Sequence, residues 1–276
     1  MRLGIFAKTF TRNHYAEVIE AVKQYGFDSL QFNMSCAGLP SMPDVIPEGL
    51  PESIHQSLQE KHLGMSALSG TYNMIHPDHS KRRQGLASLG VLIRHAKSMG
   101  TSNITLCTGS KDPYDMWKAH PENNSSQSWL DLCNSLENAL SLAELNQVHL
   151  LIETELSNVI NSTLKAKKLL DELQNCLLKI VFDPANLYEI ATADEIQDMI
   201  SEGIELLGDR IEIVHAKDRL ENGGFAPAGK GNLPYPFLIN KLKEISFNGD
   251  LILHGLSESE VSQARHFLQQ SIFEAS

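Results

Sequence analysis

The sequence holds no uninterrupted apolar run near the ~18 residues a membrane helix requires, so no membrane-spanning role is expected. Its four cysteines, Cys36, Cys107, Cys133 and Cys176, lie far apart and form no Cys-x-x-Cys pair, which argues against finger-type structural zinc. Several fall inside apolar periodic segments, where a free thiol acts as a small hydrophobe; a cytoplasmic location is the natural expectation. Cations are scarce. The 23 Lys and Arg against 34 Asp and Glu give a formal net charge of −11. Phosphate backbones need clustered cations, so no nucleic-acid surface is expected, although one or two local lysines suffice for a small anionic substrate. No Gly-x-Ser-x-Gly elbow occurs, which leaves a serine hydrolase without its nucleophile. The stretch Gly224–Gly231 nearly matches a phosphate-binding loop, but it ends in Gly where Ser or Thr should ligate Mg²⁺, and Pro227 interrupts it. The opening Met1–Lys8 turns polar too soon for a secretory signal and reads as a first buried strand.

What the chain does have is a regular alternation of two hydrophobic periods. Short apolar runs at Leu3–Phe6, Ser29–Phe32, Met65–Leu68, Ile104–Cys107, His149–Ile152, Leu178–Phe182, Ile211–Val214 and Asp250–Leu253 read as parallel strands covered on both faces. Helical spacing falls between them. Tyr15, Val18, Ile19 and Val22 are followed by Gly26; Leu86, Leu89, Ile93 and Ala96 by Gly100; Ile196, Ile200, Ile204 and Leu207 by Gly208. Trp129 to Ala143 and Leu169 to Leu173 repeat the pattern, and Ser257 reads as the N-cap of a last helix through Val261, Ala264 and Leu268. Eight βα units without a linker predict a single (β/α)₈ barrel over residues 1–276. An open doubly wound sheet usually carries a Gly-rich turn after its first strand, and Phe6–Phe10 is not one.

In such a barrel the chemistry sits where the strands end. Strand five ends in Glu153, six in Asp183, seven in His215 and eight in His254, at intervals of 30, 32 and 39 residues. Side chains placed one βα unit apart converge on one side of the mouth. Two carboxylates and two imidazoles suit Mn²⁺, Zn²⁺, Co²⁺ or Fe²⁺ better than Mg²⁺ or Ca²⁺. Any one of them alone reads equally well as a loop anchor, and the residues by themselves leave metal binding open. Glu155, two residues past Glu153, points the same way on a continuing strand as a base or supporting partner, or else opens a loop to water. Lys217 either reaches a substrate oxygen or phosphate or pairs with its neighbour Asp218. Lys230, on the Gly-rich loop, is a candidate sugar or phosphate contact or part of an ordinary turn. The segment Gly109–Gln127 is long for a βα connection and carries Trp117, which either covers the site and stacks on a sugar or pins the loop to its own helix.

The order Glu153, Asp183, His215 and a last-strand ligand resembles the xylose isomerase-like TIM-barrel superfamily, the sugar phosphate isomerases and epimerases. Leu68–Asp78 with Asn73 and His76, Leu106–Ser110, Asp183–Asn186 and His215–Asp218 carry the likeness across nearly the whole chain. The resemblance implies a divalent metal, often Mn²⁺, bound by Glu153, Asp183, His215 and His254. It further implies hydroxyl-orienting roles for Asn73, His76, Asn186 and Lys217, and chemistry on a small carbohydrate or polyol, phosphorylated or not. Members carry out ketose epimerisation, aldose–ketose isomerisation, inosose dehydration or abasic-site DNA cleavage. Two positions depart from the epimerases. His254 stands where a second catalytic Glu is usual, and Asn186 stands where His is usual. The nuclease branch would need an extra His after strand four and an Asp-x-His after strand seven; the chain has Cys107-Thr-Gly and Ala226-Pro-Ala there. The expectation is therefore an isomerase or epimerase with Glu153 as base and His254 or Glu155 carrying the second proton. A dehydratase is the first alternative and a non-catalytic sugar-binding barrel a further one. A homo-oligomer is left open.

Overall fold

The computed structural model describes residues 1–275. Among the described residues there are nine strands: β1 (Arg2–Phe6), β2 (Ser29–Phe32), β3 (Gly64–Ser69), β4 (Asn103–Cys107), β5 (His149–Glu153), β6 (Leu178–Phe182), β7 (Ile211–Arg219), β8 (Phe225–Pro227) and β9 (Asp250–Leu253). Eight of them run parallel in the order β6-β5-β4-β3-β2-β1-β9-β7, and β6 also pairs with β7, which closes the ring. The helices are α1 (Tyr15–Gln24), α2 (Leu50–Glu60), α3 (His79–His95), α4 (Ser126–Asn146), α5 (Thr163–Leu173), α6 (Ala193–Leu207), α7 (Tyr235–Glu244) and α8 (Val261–Glu274). The expected (β/α)₈ barrel is what forms.

Three local features differ from the periodic reading. The helices α2 and α7 have no counterpart in it; proline stands in the first turn of each, Pro51 and Pro236, with Pro234 as the N-cap of α7. At a first turn the missing N–H has no partner to lose, so proline begins a helix there. The strand β7 continues past Val214 to Arg219 and folds back as an antiparallel hairpin with β8, pairing Lys217 with Pro227. The last helix is entered as expected: Ser257 and Glu260 form a reciprocal capping box ahead of α8.

What places the site is the pleat. Ala67, Leu151, Val181, Ile213 and Ile252, with Phe6 against them, form a small apolar cluster of their own, and the larger core includes Leu150, Ile152, Ile180 and Leu251 from the alternate positions. Each fully buried aliphatic side chain contributes about 1.5–3 kcal/mol. Two residues beyond Leu151, Val181, Ile213 and Ile252 stand Glu153, Asp183, His215 and His254. With a side-chain period of two, the apolar layer and the polar layer above it face the same way. At the opposite end Arg2 donates to both Asp250 carboxylate oxygens, at 2.7 and 3.0 Å, and ties β1 to β9.

Candidate active site

Glu153 closes β5, Asp183 follows β6 and His215 lies within β7; all three are buried, with one donor atom from each within 4.8 Å of the others. His215 Nδ1 is 3.2 Å from Glu153 Oε1 and 3.8 Å from Asp183 Oδ2. The other ring nitrogen, Nε2, lies 2.8 Å from Gln31 Oε1, while Gln31 Nε2 donates to Thr105 Oγ1 at 3.2 Å. With the Gln31 amide so fixed, Nε2 carries a proton, and Nδ1 faces the two carboxylate oxygens, where it either holds a second proton or turns its lone pair to a cation. Without a proton on Nδ1 or a cation between them, three acceptors would face one another, which is unfavourable. Asp183 uses Oδ1 to accept from Ala185 N–H in the turn that follows β6, and Oδ2 is buried without a hydrogen-bond partner. The donor set of two oxygens and one nitrogen fits a divalent cation of the Mn²⁺ to Zn²⁺ series.

Lys217, two residues past His215 and likewise buried, brings its Nζ to 2.9 Å from Asp183 Oδ2 as a buried ion pair. Its ammonium also lies 4.3 Å from the centre of the Phe225 ring on the hairpin. Burial disfavours the charge, but Asp183 and Glu153 outweigh burial and hold Lys217 above its ordinary value. Asp218 does not pair with Lys217. It accepts from the backbone N–H groups of Arg219, Gly229 and Leu233 and so fastens the hairpin.

A cavity of about 350 Å³ opens above this cluster, lined by Phe6, Gln31, Trp117, Glu153, Glu155, Lys217 and His254 among others. Burial pushes the Glu153 carboxyl up, but His215 and Lys217 outweigh it and hold Glu153 well below the usual carboxylate range. Glu155 behaves oppositely: burial raises it and Lys217 offsets only part. His254 sits edge-on to the His215 ring, with centroids 4.9 Å apart, but is not part of the three-atom cluster, and its Nδ1 is buried without a partner. Burial, then the His215 and Lys217 charges, push it down to about 3, so its imidazole is neutral.

The remaining expected residues divide. Trp117 is half-exposed and forms part of the cavity wall. Asn186 donates to Glu153 Oε1 and to the Thr154 carbonyl, both at 3.0 Å, so it stands behind the carboxylate instead of on the wall. Asn73 is spent on Ser110, accepting from its N–H and donating to its carbonyl. His76 is spent on the loop too: its Nδ1 accepts from Asp78 N–H and its Nε2 meets the Pro113 carbonyl at 3.1 Å. Lys230 is exposed beside Leu220 and Asn232, outside the cavity. Gln31, Thr105 and Cys107 were not anticipated. Gln31 was findable as the polar side chain between Leu30 and Phe32 in an otherwise apolar strand. Cys107 is in register with Glu153 on the neighbouring strand, its Sγ 3.8 Å from Oε2.

A closed parallel barrel with acidic and imidazole side chains gathered at its C-terminal mouth defines a class of barrel built to work at that end. The chain belongs to the xylose isomerase-like TIM barrel family, whose model matches residues 19–270. Solved structures share the fold. A 3-keto-D-glucoside 4-epimerase from E. coli has TM-score 0.75 at 15% identity, with 98% of this chain and 99% of that one covered. A D-tagatose 3-epimerase-like protein has TM-score 0.80 at 12% identity over 100% and 98%. The probable 3-DHS dehydratase of petrobactin synthesis from Bacillus anthracis has TM-score 0.76 at 14% identity over 98% and 98%. No curated protein matches the chain in sequence.

Proposed function

We propose that the protein is a divalent-metal-dependent isomerase of a small polyhydroxylated carbonyl compound, with Glu153 as the base. One observation carries the reading: a deprotonated carboxylate on the cavity wall, Glu153, shares a cluster with Asp183 and a His215 nitrogen turned toward both. A cation bound by Glu153, Asp183 and His215 would polarise the substrate carbonyl and acidify the C–H beside it. Glu153, deprotonated and oriented by Asn186, would take that proton. Glu155 follows on the same side of the cavity with its carboxyl raised, which suits it to hold a proton and return it. His254 is a neutral imidazole, and its N–H would donate to a developing enediolate oxygen. Lys217 and Trp117 contribute a cation and an aromatic face to the cavity for hydroxyl or phosphate groups and for the carbon skeleton.

Both carboxylates come from the end of β5. Epimerisation with inversion needs proton carriers on opposite faces of the carbon, and His254, three strands round the ring from Glu153, is an imidazole that does not carry charge easily. Proton transfer along one face suits aldose–ketose isomerisation. The same feature supports a second reading, a dehydratase, in which the enediolate expels a neighbouring hydroxyl. The dehydratase from Bacillus anthracis and the epimerases share the barrel with this chain, and both reactions fall within that range. The test is a panel of aldoses, ketoses, polyols and inososes incubated with Mn²⁺ or Co²⁺ in deuterated buffer and followed by NMR. Isomerisation deposits deuterium on the carbon that received the proton. Dehydration yields an unsaturated ketone, and inversion at an exchanging carbon would contradict one-sided transfer.

A further inference from the structure

Lys217 is placed unusually for a substrate-binding lysine. Its Nζ is not extended into open space: it lies 2.9 Å from Asp183 Oδ2, the cluster oxygen that has no hydrogen-bond partner. The hairpin positions it there. β7 continues two residues beyond His215 on the same face, β8 pairs back at Pro227, and Phe225 brings its ring to 4.3 Å from the ammonium. On the other flank is Gly255, where an added Cβ would lie 3.7 Å from Lys217 Cβ and Cδ, so the stem runs past a residue without a side chain. Glu153, Glu155 and Asp183 bring three carboxyl groups to this corner; Lys8 also lines the cavity, and Lys217 is the ammonium that reaches Asp183.

We infer that Lys217 is a resident counter-ion of the acidic cluster, which neutralises Asp183 in the metal-free protein and must leave Oδ2 when a divalent cation binds. The inference rests on the reading of Glu153, Asp183 and His215 as a cation site. A divalent cation and an ammonium on the same oxygen repel each other, at a separation of about 4 Å by several kcal/mol even in a partly polar interior. Occupation of the cluster therefore drives the ammonium off Asp183. The cavity, which Lys217 already lines, is the space open to it, so metal binding and presentation of a cation to substrate become one event. The cost is a lowered affinity for the metal, and the gain is an acidic pocket that stays folded before the metal arrives.

The test uses the full chain stripped of metal with a chelator and titrated with Mn²⁺ or Co²⁺ alone, in competition with a fluorescent chelator. Wild type, Lys217→Met, Lys217→Gln and Lys217→Arg are compared, and thermal midpoints are taken without metal. Lys217→Met and Lys217→Gln are expected to melt lower without metal, yet to bind either ion about tenfold or more tightly, because the competing charge is gone. Lys217→Arg keeps the charge and is expected to gain no affinity. Lys217→Gln retains hydrogen-bonding capacity toward Asp183 and keeps the comparison available if Lys217→Met does not fold. A lysine that merely braces the pocket gives the opposite sign: its loss loosens the ligands and weakens binding. Equal or weaker binding by the neutral variants, with wild type binding normally, overturns the counter-ion role alone. Failure of wild type and all variants to bind either ion overturns the cation site itself, and the counter-ion role with it.

Discussion

Asn186 Nδ2 donates to Glu153 Oε1 at 3.0 Å, and the same nitrogen donates to the Thr154 carbonyl at 3.0 Å. A buried amide from the turn after β6 thus fixes the carboxylate at the end of β5 from behind. Asn186→Ala removes the donor without removing the base. The account expects kcat to fall about 10- to 100-fold with KM nearly unchanged, since the substrate does not touch this residue. Steady-state kinetics on the substrate found by the panel check the split, and a change confined to KM would place Asn186 in substrate binding after all.

His215 gives the metal prediction. Asp183→Ala or His215→Ala removes a ligand while leaving the strand apolar beneath it, and stoichiometric Co²⁺ or Mn²⁺ binding is expected to be lost. Gln31→Leu is subtler. It removes the acceptor that keeps the His215 proton on Nε2, and metal affinity is expected to drop roughly 10- to 100-fold with the ligands intact. Metal content after dialysis, measured beside thermal stability, checks all three.

Trp117 is half-exposed on the long loop and lines the cavity. Trp117→Ala is expected to raise KM roughly three- to tenfold, the worth of one aromatic contact, with little change in kcat. The thermal midpoint is expected to stay close to wild type, and a large fall would show that the ring mainly holds its own loop in place.

That loop is tied down elsewhere. Asp131 on α4 pairs with Arg82 of α3 at 2.8 Å and with Lys111 at the loop's start. Burial works to raise the Asp131 carboxyl, but Arg82 and Lys111 outweigh it and hold it far below its ordinary value of 3.8. A depressed folded value means the stabilisation is complete above 3.8 and is lost progressively as pH falls from there toward the folded value. Asp131→Asn is expected to cost about 2 kcal/mol, or roughly 5 °C in thermal midpoint, at neutral pH. Melting wild type and variant over a pH series checks the sign: the gap between them is expected to narrow in acid.

The residues that could be placed from the sequence are those whose direction the pleat dictates. Glu153, Asp183, His215 and His254 each stand two positions after an inward apolar residue, so their convergence followed from strand period alone. Asn73 and His76 lie in a turn, where direction depends on which backbone groups need partners; both are used up holding the loop. Lys230, on the Gly-rich loop, reads equally as a substrate contact or as part of a turn, because nothing in the spacing shows that β7 runs on past Val214. Its continuation into the hairpin carries Lys230 to the outer surface. Asn186 had the right address and the opposite orientation, since the turn capped by Asp183 sets where its amide points. Gln31 acts through His215, a contact between strands that no spacing along the chain reveals.

The central claim is that Glu153 takes a proton from carbon, and solvent isotope exchange reads that step without depending on the product formed. Wild type loaded with Mn²⁺ or Co²⁺ is incubated with its substrate in deuterated water, and Glu153→Gln is treated identically after its bound metal has been measured. The account predicts deuterium at the carbon beside the carbonyl with wild type and a loss of about 10²- to 10⁴-fold or more in Glu153→Gln. Exchange at the wild-type rate in a metal-loaded Glu153→Gln protein would contradict it.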